Sequence, residues 1–253
     1  MNLLYQYFIP YQGIESQYNF GSIGLPDWAK LGMKSARQYA HNIGTEYMFS
    51  DQIYMHSTLN VFESLRIIFD ETFDQYDNIL ILDIDTIINT KENIFENQVE
   101  DIGMVHEYGV YNRTHPTVNF NSSFWDRYFN DPERGVITYA KQHINPDFKW
   151  KKSKMYPSEP FALYNGGLQL WSKEGRLKAR KIFDRKGHDR FKLLTNKTET
   201  PYLNMMLMAH DFKITELPME WNKLNYQWSI DGDMGKITHY NDVSKNEMLT
   251  HGK

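Results

Sequence analysis

The chain has no cysteine among its 253 residues, so neither a disulfide framework nor a thiolate metal site is open to it. That absence suits a reducing compartment. No charge of one sign dominates: 28 Lys and Arg against 32 Asp and Glu leave a formal net charge of −4. Such a balance carries no electrostatic footprint for nucleic acid, which is therefore not an expected partner. No apolar run approaches the roughly 20 residues of a membrane span. The first residues, Met1 to Ile9, lack a basic region and are cut off by Pro10, unlike a signal peptide. A cytoplasmic location is the resulting expectation, and the Asn-x-Ser/Thr matches at Asn112, Asn121 and Asn196 then read as chance. Internal repeats, low-complexity tracts and linkers are also missing.

What is present points to a packed α/β fold. Aromatics make up 15% of the residues, which argues against disorder. The length fits one large α/β domain or two small ones, with ample material for a core, and the missing linker favours one. The most informative stretch runs from Tyr76 to Ile88, where the apolar run Ile79-Leu80-Ile81-Leu82 ends in Asp83 and Asp85. A run without polar alternation fits an interior strand covered on both faces. Side chains alternate faces along a strand, so Asp83 and Asp85 point the same way at its end. Ligands of open α/β sheets lie beyond the carboxyl ends of such strands. Two hard oxygen ligands there suit Mg²⁺ or Mn²⁺, which keep part of their coordination for phosphates. Taken alone, the same pair could equally end a strand and meet water.

In chain order, Leu3 to Ile9 reads as a strand, followed by a loop over 14–26. Asp27 is expected to cap a helix with apolar positions Trp28, Leu31, Ala36, Tyr39 and Ala40, closed by Gly44. Tyr47 to Phe49 reads as a second strand. Asn60 and Glu63 resemble a capping box for a helix burying Val61, Leu65, Ile68 and Phe69. This β-α-β-α-β order predicts a mostly parallel sheet with right-handed crossovers. Asp101 to Val105 is a further short strand. Residues 108–160 have no clean period and read as a loop-rich, site-shaping stretch. Trp125, Tyr128, Phe129 and Trp150 there suit either stacking on a ligand or packing the loops down.

Order returns at Phe161 to Trp171, where paired glycines, Gly166 and Gly167, mark a bulge or a close backbone approach. Ser172 caps a helix, Lys173 to Phe183, whose basic side chains (Lys173, Arg176, Lys178, Arg180, Lys181) read as a solvated face. Thr200 and Pro201 read as N-cap and first residue of another helix, with Met205, Met206 and Met208 filling core. Glu216 to Asn222 is expected to be loop, and Ile237 to Tyr240 a last strand or turn.

Several of these signals fall in an order that resembles GT-A nucleotide-sugar glycosyltransferases, most closely glycosyltransferase family 8. Leu82-Asp83-Ile84-Asp85 is similar to that family's metal-binding Asp-x-Asp. Asn165-Gly166-Gly167 is similar to its Asn-Ala-Gly segment, which lies against the donor sugar. Glu199, ahead of Asn204, stands where the family has the first Asp of an Asp-Gln-x-x-Leu-Asn-like motif. Leu217-Pro218 with Trp221-Asn222 is similar to a downstream loop, and His239 and Lys245 reproduce a C-terminal His-x5-Lys element. The resemblance spans Leu3 to Lys245 and is weakest over 108–160. Departures from the pattern are Gly166 for Ala, Thr200 and Pro201 for Gln and the second Asp, and Asn246-Glu247 after the Lys.

The resemblance implies a single GT-A domain over 1–253. Residues 1–90 would form the nucleotide-binding half and 91–253 the half for sugar and acceptor. It implies Mn²⁺ or Mg²⁺ held by Asp83, Asp85 and His239, with Lys245 and Arg66 on the donor phosphates. Tyr11 would stack on the base, Asp83 would reach toward the ribose, and Gly166 and Gly167 would lie along the donor. Asn165 and Glu199 would bond donor hydroxyls at the reacting face. The implied activity is transfer of a sugar from a nucleoside-diphosphate donor, UDP by resemblance, to a glycan or glycoconjugate acceptor, with retention of configuration. Two other readings remain: a haloacid-dehalogenase-like phosphatase using Asp83 as nucleophile, and a nucleotide-sugar-binding protein without turnover.

Overall fold

The computed structural model describes residues 1–9, 24–56, 60–107, 129, 132, 135–158, 161–185, 200–224, 233–240 and 245–251. A six-stranded sheet runs in the order β2 (Glu46–Ser50), β1 (Asn2–Tyr7), β3 (Asn78–Leu82), β6 (Tyr164–Ser172), β5 (Ile102–His106) and β7 (Ile214–Leu217). β1 pairs in parallel with β2 and β3, and β5 with β7. Only β6 is reversed, lying antiparallel between β3 and β5. The sheet is thus the mostly parallel one that the βαβ order predicts. A second sheet contains β4 (Thr86–Ile88), β9 (Ile237–His239) and β8 (Lys223–Leu224) in that order.

The unbroken apolar run of β3 has the cause inferred from it. Ile79 and Ile81 face one buried cluster, with Leu3, Tyr5, Met104 and Trp171. Leu80 and Leu82 face another, with Leu4, Val105, Leu168 and Leu170. Helix α1 (Asp27–Asn42) covers the second face through Ala36, Tyr39 and Ala40. The first face is covered by α2 (Arg66–Phe69), α4 (Lys173–Ile182) and α5 (Thr200–Ala209), while α3 (Val136–His143) packs against α5. Met205, Met206 and Met208 are core, as are Phe129 and Trp150. The packing alternative therefore holds for those two aromatics; Trp125 and Tyr128 lie outside the described residues.

Several local expectations are corrected. Pro26, not Asp27, precedes the first turn of α1, and the Asp27 carboxylate takes the ammonium of Lys30 instead. Gly44, at φ 66°, does close that helix. The 60–69 segment is a 3₁₀ helix, Asn60–Leu65, followed by the single turn of α2. Its capping box does not form. Buried Glu63 turns back to accept the backbone N–H of Tyr54 and Met55 (2.7–3.1 Å), and Asn60 donates to Ile9 O. Ser172 caps α4 as expected, accepting from Gly175 N at 2.9 Å.

The basic face of α4 is not simply solvated. Arg176 is fully buried and donates to the carbonyls of Trp171, Phe73 and Tyr76. Arg180 forks onto Asp74, and Lys178 pairs with Asp101. Thr200 is itself helical rather than a cap. Residues 214–222 are a strand and a 3₁₀ turn, not a loop, and α3 lies within the stretch read as loop. Because the parallel strands share one direction, Leu82, His106 and Leu217 end on the same edge. The reversed β6 starts there too, with Leu168 opposite Leu82.

Candidate active site

At that edge Asp83 follows β3, and its N–H donates to Gly167 O at 2.8 Å, prolonging the ladder by one bond. Its own carbonyl accepts from buried Gln6 and from Thr86 Oγ1. Asp85 lies in the turn between β3 and β4. The two carboxylates are therefore aligned by a fixed turn and not by strand alternation, which corrects the expected geometry. Gly32 of α1 seats that turn: a Cβ there would lie 1.8 Å from Ile84 O. Below it, Ile84 packs with Trp28, Tyr240 and Met248.

His239 arrives through the second sheet. β4 pairs with β9 so that Thr86 is opposite His239, and Tyr240 N donates to Asp85 O at 2.8 Å. Its Nε2 then stands 3.3 Å from Asp85 Oδ1 and 3.6 Å from Asp83 Oδ2. Lys245, the first residue of α6 (Lys245–His251), places Nζ 3.0 Å from Asp85 Oδ2 and 4.7 Å from the ring centroid of Trp28. Asp85 and His239 are buried, whereas the Asp83 side chain is 31% exposed, so the cluster opens to solvent on the Asp83 side.

The electrostatics follow from this arrangement. Burial and the neighbouring Asp85 push Asp83 up to about 6, against the pull of His239 and Lys245. Burial also opposes ionisation of Asp85, yet Lys245 and His239 hold it well below the usual carboxylate range. His239 is raised, because its two carboxylate neighbours outweigh its desolvation. The cluster thus sets two mutually repelling carboxylates against Lys245 and His239.

One ligand atom each from Asp83, Asp85 and His239 lie within 4.8 Å of one another. Two carboxylates and an imidazole are a donor set for Mn²⁺ or Mg²⁺, and the spacing fits one ion. Gly167 keeps the space open. A Cβ on it would sit 2.4 Å from His239 Cε1 and 2.8 Å from Asp83 Oδ2, so the close backbone approach inferred from the paired glycines is real.

Asn165 and Gly166 line the same edge. Asn165 Oδ1 accepts from Gly167 N (2.8 Å) and from Asn222 Nδ2 (2.9 Å), while its Nδ2 reaches Glu107 Oε2 at 3.4 Å. Gly166 N donates to Thr200 Oγ1 at 3.2 Å, which brings the start of α5 to the edge. Arg66 is held differently: its Nε is on Asp70 and its Nη1 on Ser50 at the end of β2, with Tyr54 beneath it. Tyr11 and Glu199 lie outside the described residues. Sequence reasoning missed three contributors: Gln6, Gly32 and the side chain of Asn222. A glycine inside α1, costing about 1 kcal/mol against Ala, was the available signal for Gly32.

Compared by sequence, the chain matches no family model and no curated protein. Compared by fold, it is similar to several solved glycosyltransferases. The galactosyltransferase LgtC, solved with donor and acceptor sugar analogues, superposes with a TM-score of 0.55 at 9% identity, over 100% of this chain and 95% of that one. A glycosyltransferase involved in glycosylating the major capsid of PBCV-1 gives 0.54 at 11% identity, over 99% and 98%. The bifunctional glycosyltransferase WbbM gives 0.51 at 9% identity, this chain spanning 49% of it. The α/β architecture of this chain, with its reversed sixth strand and its Asp-x-Asp turn at the carboxyl edge, is the GT-A fold of these glycosyltransferases.

Proposed function

We propose that this chain is a metal-dependent glycosyltransferase of one GT-A domain. It moves a sugar from a nucleoside-diphosphate donor, UDP in the simplest reading, to a glycan or glycoconjugate acceptor with retention of configuration. The observation that carries the reading is the convergence of Asp83, Asp85 and His239 at the carboxyl edge of the sheet, beside Asn165-Gly166-Gly167. The single-domain reading is supported by β6, which inserts between β3 and β5 and joins the 1–90 and 91–253 halves in one sheet.

Asp83, Asp85 and His239 would hold the divalent ion, and when bound it would act as a Lewis acid toward the departing diphosphate. Lys245, now on Asp85, would turn to the phosphates, and Arg66 would be a second cation there. Gly166 and Gly167 leave room along the donor, and Asn165 and Glu199 would bond its hydroxyls at the reacting face. Tyr11 would stack on the base. In the transfer the bond from the anomeric carbon to the diphosphate oxygen breaks, its electron pair leaving on the diphosphate. The acceptor oxygen forms the new bond, and its proton passes to the departing diphosphate oxygen.

The test is nucleoside diphosphate release from a panel of nucleotide sugars with Mn²⁺, Mg²⁺ or chelator. Asp83→Asn and His239→Ala should each abolish the metal-dependent rise in melting temperature caused by UDP. Unchanged shifts in both variants overturn the metal shell. Cleavage of p-nitrophenyl phosphate with no donor bound would assign the site to a phosphatase, and donor binding without transfer to any acceptor would assign it to a binding protein.

A further inference from the structure

We infer that Asn222 is a positioning residue that fixes which nitrogen His239 offers to the metal and couples that ligand to the Asn165 segment. The inference rests on the proposed metal site and adds a residue that the site needs behind it. It begins at a group that cannot be misoriented. The backbone N–H of Gly167 is only a donor, so the Asn165 atom 2.8 Å away is the amide oxygen. Glu107 fixes the other end, since its carboxylate Oε2 faces Asn165 Nδ2. The neighbour of that oxygen at 2.9 Å, on Asn222, must then be the NH₂ group. Asn222 therefore turns its oxygen to His239 Nδ1, 3.1 Å away. An oxygen there accepts, so Nδ1 carries a proton, and Nε2, which faces Asp83 and Asp85, is the nitrogen left to offer a lone pair to a metal.

The amide orientations of two asparagines and the imidazole tautomer thus form one hydrogen-bonded chain, in which His239 donates to Asn222 while Asn222 and the Gly167 N–H of β6 both donate to Asn165 Oδ1. Asn222 is 1% exposed and His239 is buried, so water cannot readily replace either bond. Metal-ligating histidines are generally held in this way by a partner on the remote nitrogen, and loss of that partner costs about 10- to 100-fold in metal affinity. Here the partner also holds Asn165, so the metal ligand and the Asn165-Gly166-Gly167 segment share a single amide.

The experiment is Mn²⁺ titration of the purified full chain and its variants, followed by calorimetry. Asn222→Ala should bind Mn²⁺ about 10- to 100-fold more weakly than wild type. Asn222→Asp, which keeps an oxygen on Nδ1–H but loses the donor to Asn165 Oδ1, should recover part of the Mn²⁺ affinity lost in Asn222→Ala. Asn165→Ala should weaken Mn²⁺ binding, and the double variant with Asn222→Ala should be no weaker than Asn222→Ala alone. With Zn²⁺ as a diamagnetic probe, ¹H–¹⁵N correlation of the His239 ring in the wild-type chain should show Nδ1 protonated and Nε2 bound. Equal Mn²⁺ affinity of wild type and Asn222→Ala, no rescue by Asn222→Asp, additive losses in the double variant, or a protonated Nε2 each overturn the inference. The NMR result decides even if a variant fails to fold. A wild-type chain that binds no Mn²⁺ would instead overturn the proposed function, and the inference with it.

Discussion

Replacing Gly32 by alanine tests whether α1 seats the turn that carries both carboxylates. On an open helix surface this change stabilises by about 1 kcal/mol, because glycine has the poorer helix propensity. Here the new methyl would lie 1.8 Å from Ile84 O and 2.9 Å from Ile84 C, both backbone atoms, with Met248 Cε at 3.2 Å. Real Cβ atoms essentially never approach within 3.0 Å, so the helix or the turn must move by more than about 1 Å. Overpacking costs typically 1–3 kcal/mol, and a clash with backbone atoms belongs in the upper part of that range, about 2–3 kcal/mol, which exceeds the propensity gain. A net loss of about 1–2 kcal/mol corresponds to a fall in melting temperature of about 2–8 °C for a chain of this size. The same displacement carries Asp83 and Asp85, which flank Ile84, whereas metal sites tolerate only about 0.2 Å of ligand misplacement. Gly32→Ala should therefore lower Mn²⁺ affinity at least about tenfold in titration calorimetry, while Lys34→Ala on the exposed face of α1 should change neither quantity. A Gly32→Ala chain that melts at or above the wild-type temperature and binds Mn²⁺ equally well would refute the seating of the turn on α1.

Two further outcomes are expected away from the site. Arg176→Leu takes the shared donor from the carbonyls of Trp171, Phe73 and Tyr76; Phe73 O keeps Tyr76 N, so the cost falls mainly on Tyr76 O, at about 1–3 kcal/mol for a buried group left unpaired. Urea unfolding should show a loss of about 1–3 kcal/mol, and a loss under about 1 kcal/mol would contradict the anchoring role. Glu216 accepts from Ser153 Oγ, Lys154 N, Met155 N and Tyr164 OH, each at 2.8 Å. Burial pushes its carboxyl up, but these donors hold it below the ordinary value of 4.5. A depressed folded value means the stabilisation is complete above the unfolded value and fades as pH falls through the folded one. The melting-temperature gap between wild type and Glu216→Gln should therefore be widest near neutral pH and narrow below about pH 4.5. A gap independent of pH would mean the ionised carboxylate is not what ties residues 153–155 to β7.

The central strand β3 was legible because burial on both faces leaves an apolar run with no alternative use, as in Ile79 to Leu82, whereas the half-buried edge strand β7 was read as loop. The paired glycines at 166 and 167 were legible for the same kind of reason: glycine in a strand costs stability, so it marks a contact that forbids a side chain. What was not legible depended on partners distant in the chain. Glu63 looks like a capping residue from its spacing to Asn60, yet the backbone of Tyr54 and Met55 offers it a buried site instead. Arg176 looks like one cation of a solvated stripe. Its burial comes from the carbonyls of the 73–76 segment, about 100 residues away. His239 is an ordinary lone histidine until β4 and β9 pair, and only resemblance to a family singled it out.

The placement of His239 also explains why the carboxylates end in a turn. A strand continuing past Leu82 would keep Asp83 and Asp85 on the six-stranded sheet, with no route to a ligand more than 150 residues later. By breaking at Asp83 and restarting at Thr86, the chain moves into the second sheet, where β9 lies alongside it and Tyr240 N closes on Asp85 O. The site is therefore a junction between two sheets, fixed on one side by Gly167 O and Gln6 on Asp83 and on the other by the three-residue ladder of β4 and β9. A ladder so short contributes little order by itself, and Asn222 supplies a second tie from His239 back to β6 through Asn165. The small sheet and the asparagine relay do the same physical task, which is to hold an imidazole against two carboxylates that repel each other.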